Sequence, residues 1–144
     1  MARETVAVGA DHGGYLLKSA LAAQLSELGF DIIDFGTVDS ESVDYPDYAE
    51  PVVAAIKEGR AQIGVLICGS GIGMSIAANR HKGIRAALCC DVESATLARQ
   101  HNDANILVLG GRLIDQDVAE NCLEAFVTTE FEGGRHQRRV AKLG

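Results

Sequence analysis

The 144-residue sequence has no tryptophan, and aromatic residues make up only 5% of it. So little flat ring surface leaves few side chains on which a flavin or a nucleobase could stack. Basic residues are also scarce. Thirteen Lys and Arg stand against twenty Asp and Glu, for a formal net charge of −7 and a pI near 5.0. Such a chain repels phosphodiester backbones and anionic lipid, which argues against nucleic acid or a membrane as its main partner. No apolar run approaches the roughly 18 residues that suggest a membrane span, and the opening stretch MARETVAVGADHGG lacks the apolar core of a signal peptide. The four cysteines (Cys68, Cys89, Cys90 and Cys122) include no C-x-x-C pair, which removes the zinc-ribbon and thioredoxin readings. A domain of this size buries roughly 68–70% of its unfolded surface and needs no disulfide staple. The free thiols then point to a reducing, cytoplasmic setting.

Hydrophobic residues at 47% and charged residues at 23% give the balance of a folded chain, and the length suits one domain spanning 1–144. Short apolar runs bounded by Gly or Asp alternate with longer segments of helical period. Thr5–Gly9 predicts a buried strand, and the following helix has an apolar face of Leu16, Leu17, Ala20, Leu21, Leu25 and Leu28, closed by Gly29. Phe30–Phe35 predicts a second strand. A polar loop over Gly36–Asp47 leads to a helix over Tyr48–Lys57, with Pro51 tolerated in its first turn. Strands follow at Ile63–Ile67, Ile84–Leu88 and Ala104–Leu109. Helices follow at about Ile72–Asn79, from an Asp91 cap to His101, and over Asp117–Thr129. Gly133-Gly134 then break the chain before a short basic helix from about 134. Nearly continuous Val/Ile/Leu/Ala strands alternating with helices predict an α/β fold. It is a Rossmann-like three-layer αβα sandwich on a parallel sheet of about five strands. Ligands in such folds sit beyond the carboxyl ends of the strands, near a switch in strand order.

The residues at those ends are chemically rich. They are Asp11-His12 after the first strand, Gly36-Thr37 after the second, Cys68-Gly-Ser-Gly-Ile-Gly73 after the third, Cys89-Cys90-Asp91 after the fourth, and Gly110-Gly111-Arg112 after the fifth. The Cys68 loop can aim backbone N–H groups at an anion from a helix N-terminus. Met74 stands where a dinucleotide fingerprint needs Gly or Ala and where a cysteine phosphatase needs Arg, and no Lys makes a P-loop. A thiol heading this loop gains from the helix dipole and can serve as nucleophile or base. Cys89, Cys90 and Cys122 read instead as small buried hydrophobes.

His101 near a helix end either answers the helix dipole or works on a substrate. His12 fits a core position or a ligand contact, and His81, between Arg80 and Lys82, reads as solvated surface. Tyr45, in Asp44-Tyr45-Pro46, is a turn residue whose hydroxyl faces either the cleft or the core. Asp11, His12 and Cys68 lack the spacing of a metal site. Arg135, Arg138, Arg139 and Lys142 form a basic tail with no acid, suited to a small anion. Arg135 and Arg139 are four apart and share a helix face that can grip a phosphate, whereas Arg138 points away.

Taken in order, Gly9-Ala-Asp11-His12-Gly, Asp44-Tyr45-Pro46, Ile67-Cys68-Gly-Ser-Gly-Ile-Gly73, Arg99-Gln-His101-Asn102-Asp103 and Glu132-Gly-Gly-Arg135-His136-Gln run nearly from end to end. This series resembles the type B ribose-5-phosphate isomerases, within the family shared with allose- and galactose-phosphate isomerases. The resemblance implies interconversion of ribose 5-phosphate and ribulose 5-phosphate, with no metal and no organic cofactor. It makes Cys68 the base that moves a proton between C2 and C1. The amides of Gly69, Ser70, Gly71, Ile72 and Gly73 would stabilise the enediolate, and Ser70 would assist transfer between the two oxygens. His101 would donate the proton that opens the furanose ring, and Asp11 would join in ring opening or hold hydroxyls. His12, Arg112, Arg135 and Arg139 would hold the phosphate, with Asn102 and Tyr45 completing the pocket. One branch of the family replaces the cysteine with a glutamate in the next helix; Met74 and Ser75 here offer no carboxylate. The implied partners are a small phosphorylated sugar and further copies of the chain, as a homodimer or dimer of dimers with the site at the interface. Galactose-6-phosphate or allose-6-phosphate isomerisation is the same chemistry on a longer sugar.

Overall fold

The computed structural model describes residues 4–144, so residues 1–3 of the expected 1–144 domain lie outside the described residues. Strands β1 (Thr5–Ala10), β2 (Asp31–Asp34), β3 (Ile63–Cys68), β4 (Ala86–Leu88) and β5 (Ile106–Gly110) form one sheet. Helices α1 (Tyr15–Glu27), α2 (Pro46–Lys57), α3 (Ile72–Asn79), α4 (Val92–Asn102), α5 (Gln116–Thr128) and α6 (Arg135–Ala141) alternate with and follow them. The strand order is β2-β1-β3-β5-β4, and every pair is parallel, as the sequence predicts. The chain leaves β1 toward one edge and returns to β3 on its other side. The switch in strand order therefore falls between β1 and β3, where loops splay apart and leave room for a ligand.

Alternate side chains of the central strands enter two cores. Val8, Ala10, Val65, Ile67, Leu107 and Leu109 pack with Leu17, Leu21, Leu25, Leu123 and Phe126 of α1 and α5. Ala7, Leu66, Cys68, Ile106 and Val108 face the other layer, with Val52 and Val53 of α2 and Met74 and Ala78 of α3. This period-2 division explains why the strands read as continuous apolar runs: both faces are covered.

Several local expectations need correction. In α1, Leu16 is 71% exposed, and Leu28 lies beyond the helix at 40%. The buried stripe is Leu17, Leu21 and Leu25, and it admits Lys18. The Lys18 ammonium reaches both oxygens of Asp34 at 2.7 Å, so its charge is paired while its stem is buried. Helix α2 begins two residues earlier than predicted, with Pro46 in its first turn, which places Pro51 inside the helix rather than at its start. β4 is only three residues long at the sheet edge, where the N–H groups of Arg85 and Ala86 donate to the side-chain amide oxygens of Asn105 and Asn79. Cys90 is exposed, against the expectation of burial, whereas Cys89 and Cys122 are buried. Asp91 caps α4 as predicted, its carboxylate accepting from the Ser94 N–H at 2.7 Å.

Candidate active site

At the carboxyl edge of the sheet, the loops after β1, β3 and β5 are bonded to one another. Asp11 N–H donates to the Ile67 carbonyl, Gly111 N–H to that of Cys68 at 2.9 Å, and Arg112 N–H to that of Gly69 at 3.0 Å. Cys68 is the last residue of β3 and is 5% exposed. Four residues on, α3 starts at Ile72, preceded by Gly71, whose φ of +80° turns the chain abruptly out of the sheet. A Cβ there would also lie 2.5 Å from Leu88, so only glycine makes this turn. The first turn of α3 has N–H groups without intrahelical acceptors, and that of Ile72 is met by the Ser70 Oγ at 3.2 Å. The thiol, a helix N-terminus and a serine hydroxyl therefore share one turn of chain.

Around this turn, Arg112 lays its guanidinium against Gly69, within 3.1 Å of where a Cβ would stand. Asp11 is buried and accepts from the Gly13 N–H at 2.8 Å, which aims the carboxylate along the loop. His12 accepts from the Val43 N–H at 3.1 Å through Nδ1, so a neutral ring carries its proton on Nε2. Tyr45 packs its ring on Gly73; a Cβ on that glycine would sit 2.7 Å from Cζ. Both of its predicted settings are half right: the ring is 38% exposed and rests on the loop. Asp11, His12, Tyr45, Cys68, Gly69, Ser70, Gly71, Ile72, Gly73 and Arg112 thus gather at one edge.

The remaining predicted residues lie elsewhere. Helix α4 leaves the carboxyl edge at Asp91 and ends at Asn102, just before β5 begins. Register pairs Ile106 with Gly64 and Gly110 with Cys68, so His101 and Asn102 lie at the amino edge of the sheet. Arg139 joins them, lining a cavity of about 320 Å³ with His101, Asn102, His136, Val140 and Leu143. Neither Arg135 nor Arg138 lines it, so the cavity does not set Arg135 beside Arg139. The fourfold phosphate grip expected of His12, Arg112, Arg135 and Arg139 is therefore divided between opposite edges of this chain.

The amino-edge group contains two residues to which the sequence reading assigned no role. His136 is buried and stacks on His101 with ring centroids 4.2 Å apart and planes 14° from parallel. Glu132 Oε1 lies 3.7 Å from Nε2 of each ring. Burial lowers the His136 pKa below its ordinary value, as do His101, Arg135 and Arg139, while Glu132 opposes the shift. The i,i+4 spacing of Glu132 and His136 was visible, but Gly133-Gly134 between them interrupt any helical reading. Among the described residues these three form the group whose donor atoms, within 4.8 Å of one another, could hold a metal. Nearly parallel rings do not direct two in-plane lone pairs at one ion, so a metal would require one ring to turn out of the stack. At the surface, His81 is more engaged than expected, with Nε2 2.9 Å from Glu50. Among the described residues, no helix is long and apolar enough to cross a membrane.

This arrangement has close counterparts. The sequence model of the ribose/galactose isomerase family matches residues 6–143. Ribose-5-phosphate isomerase B of Escherichia coli is 47% identical over 138 residues, covering 96% of this chain and 93% of that protein. The crystal structure of a ribose 5-phosphate isomerase from Thermotoga maritima superposes with a TM-score of 0.96 at 49% identity, over 99% of this chain and 98% of that one. Ribose 5-phosphate isomerase B from Anaplasma phagocytophilum superposes with a TM-score of 0.93 at 52% identity, over 100% and 99% of the two chains. With matched sequence motifs, the same five-stranded parallel architecture and near-complete coverage in both directions, the chain belongs to the ribose/galactose isomerase family and is an isomerase.

Proposed function

We propose that this chain interconverts ribose 5-phosphate and ribulose 5-phosphate by proton transfer with Cys68 as the base, in a site completed by a second copy of the chain. The observation that carries the reading is the position of Cys68, at the end of β3 and one turn ahead of the α3 N-terminus. A proton beside a carbonyl is weakly acidic, so a catalyst must supply a base and also stabilise the enediolate. Here the base and the positive end of a helix are adjacent in the chain.

The steps balance as follows. His101 gives a proton to the ring oxygen as its bond to C1 breaks, and Asp11 takes the proton of the C1 hydroxyl, leaving the aldehyde. The Cys68 thiolate then removes the C2 proton. The C2–H electron pair becomes the C1=C2 bond, and the negative charge that builds on O1 is stabilised by loop N–H groups. Ser70 helps move the proton from O2 to O1, and Cys68 returns its proton to C1 to form the ketose. His12 and Arg112 hold phosphate from the Cys68 side, Arg135 and Arg139 from the partner's side, and Asn102 and Tyr45 close the pocket.

The separation of the two groups within one chain supports a second copy in the site. β3 separates its two ends by roughly 16 Å at about 3.3 Å per residue, and His101 and Cys68 lie at opposite edges of the sheet. Two protomers that meet the carboxyl edge of one with the amino edge of the other bring the two groups together, twice over in a C2 dimer. Cys68→Ser tests the base directly. A hydroxyl ionises far less readily than a thiol, so turnover should fall by roughly 10²–10⁴-fold while thermal unfolding stays that of the parent. Retention of more than about a tenth of the activity removes Cys68 from the mechanism. Assays with ribose, allose and galactose phosphates on the parent protein set its substrate among the family's sugars.

A further inference from the structure

An exposed imidazole at a helix end has a broad, roughly two-fold χ2 distribution, so by itself it is a poorly aimed proton donor. The His101 side chain is 38% exposed on the last turn of α4, yet its ring lies flat against a second imidazole brought in by α6. The supporting parts are anchored. Glu132 N–H donates to the Gln100 carbonyl at 3.0 Å, which ties the loop before α6 to α4 one residue ahead of His101. Gly133 and Gly134, at φ +69° and +56°, then turn the chain so that Glu132 and His136 face the same ring. His136 N–H closes that turn on the Gly133 carbonyl at 3.0 Å.

We propose that His136 and Glu132 are positioning residues for His101: the stacked His136 ring fixes the plane of the imidazole, and the Glu132 carboxylate holds its Nε2 edge. The inference rests on the reading of His101 as the ring-opening acid. Two imidazolium rings 4.2 Å apart would repel, so the stack is firmest when at most one ring is charged. The groups that face His136 disfavour a charge on it. His101 on α4 and Arg135 and Arg139 on α6 disfavour a cation there, and burial adds to them, against the single opposing charge of Glu132. His136 thus acts as an uncharged plate, and the carboxylate beside both Nε2 atoms is available to the more exposed ring.

The test uses the full-length protein and two measurements. Turnover of cyclic ribose 5-phosphate needs ring opening, whereas entry of solvent deuterium at C1 of acyclic ribulose 5-phosphate needs only the Cys68 chemistry. His136→Phe keeps a ring that can stack, His136→Ala removes it, and Glu132→Gln keeps the shape without the charge. Turnover should fall about tenfold or more in His136→Ala and Glu132→Gln and less in His136→Phe, with C1 exchange within about twofold of the parent in all three. In a His101→Ala background the same changes should cost nothing further, since they act through that ring. Parallel losses of turnover and exchange would indicate a merely structural role and overturn the inference. So would independent losses in the His101→Ala background, or parent-like turnover in His136→Ala and Glu132→Gln while His101→Ala is impaired. Parent-like turnover in His101→Ala itself would instead refute the reading of His101 on which the inference stands.

Discussion

If Cys68 and His101 meet only across two chains, two inactive variants should repair one another. Within one protomer Cys68 ends β3 at the carboxyl edge and His101 ends α4 at the amino edge; β3 spans roughly 16 Å between those edges, a gap that a thiol and an imidazole cannot bridge. Cys68→Ser and His101→Ala homodimers should each be impaired by roughly 10²–10⁴-fold on ribose 5-phosphate. In a heterodimer of the two, one site pairs the intact cysteine of the His101→Ala chain with the intact histidine of the Cys68→Ser chain. The other site carries both lesions. Random assortment makes half of the dimers mixed, so about a quarter of all sites are restored. The assay is co-refolding of equal amounts of the two variants, with turnover compared before and after mixing and the dimer confirmed by sedimentation. Recovery toward a quarter of parent activity is the expected result. If both residues served one protomer's own site, every site in the mixture would keep a lesion and activity would stay at the level of the separate variants. That result would refute the shared site.

Arg139→Ala should raise KM for ribose 5-phosphate about tenfold or more, since a charge-assisted bond to phosphate contributes roughly 1.5–3 kcal/mol. Arg138→Ala, about 100° away around α6, should leave KM unchanged; steady-state kinetics of both variants decides whether the helix face is assigned correctly. Stability should fall as pH drops through the ordinary histidine range. The lowered pKa of His136 means that between its unfolded value near 6.5 and its folded value the unfolded chain binds the additional proton. Thermal melts from pH 7.5 downward should therefore show a decline that is weaker in His136→Phe; an equal decline in both assigns the dependence to other groups.

Much of this protein was decided locally and could be read directly. The α3 boundaries follow from glycines before Ile72 and the turn beyond Asn79, and the α4 start follows from Asp91, whose carboxylate needs only a partner three residues on. The five strands declare themselves as apolar runs because both faces of a parallel sheet are covered. The Cys68 loop is likewise continuous chain, so its thiol, hydroxyl and helix N-terminus were legible together. Lys18 was not, because its burial depends on Asp34 at the end of another strand, and the exposure of Leu16 depends on which stripe of α1 meets the sheet. Pro51 was misplaced because helix α2 begins at Pro46, two residues before its apolar pattern. The division of the site was hidden for a related reason. Motif order gathers His101 and Arg139 with Cys68, but a helix that leaves one edge of a parallel sheet must end at the other. The pairing of His101 with His136 then joins two helices 35 residues apart in number, and only packing brings such faces together. Sequence fixes what each segment prefers next to its own neighbours, whereas the opposition of edges and the stacking of distant rings arise once the crossovers have closed.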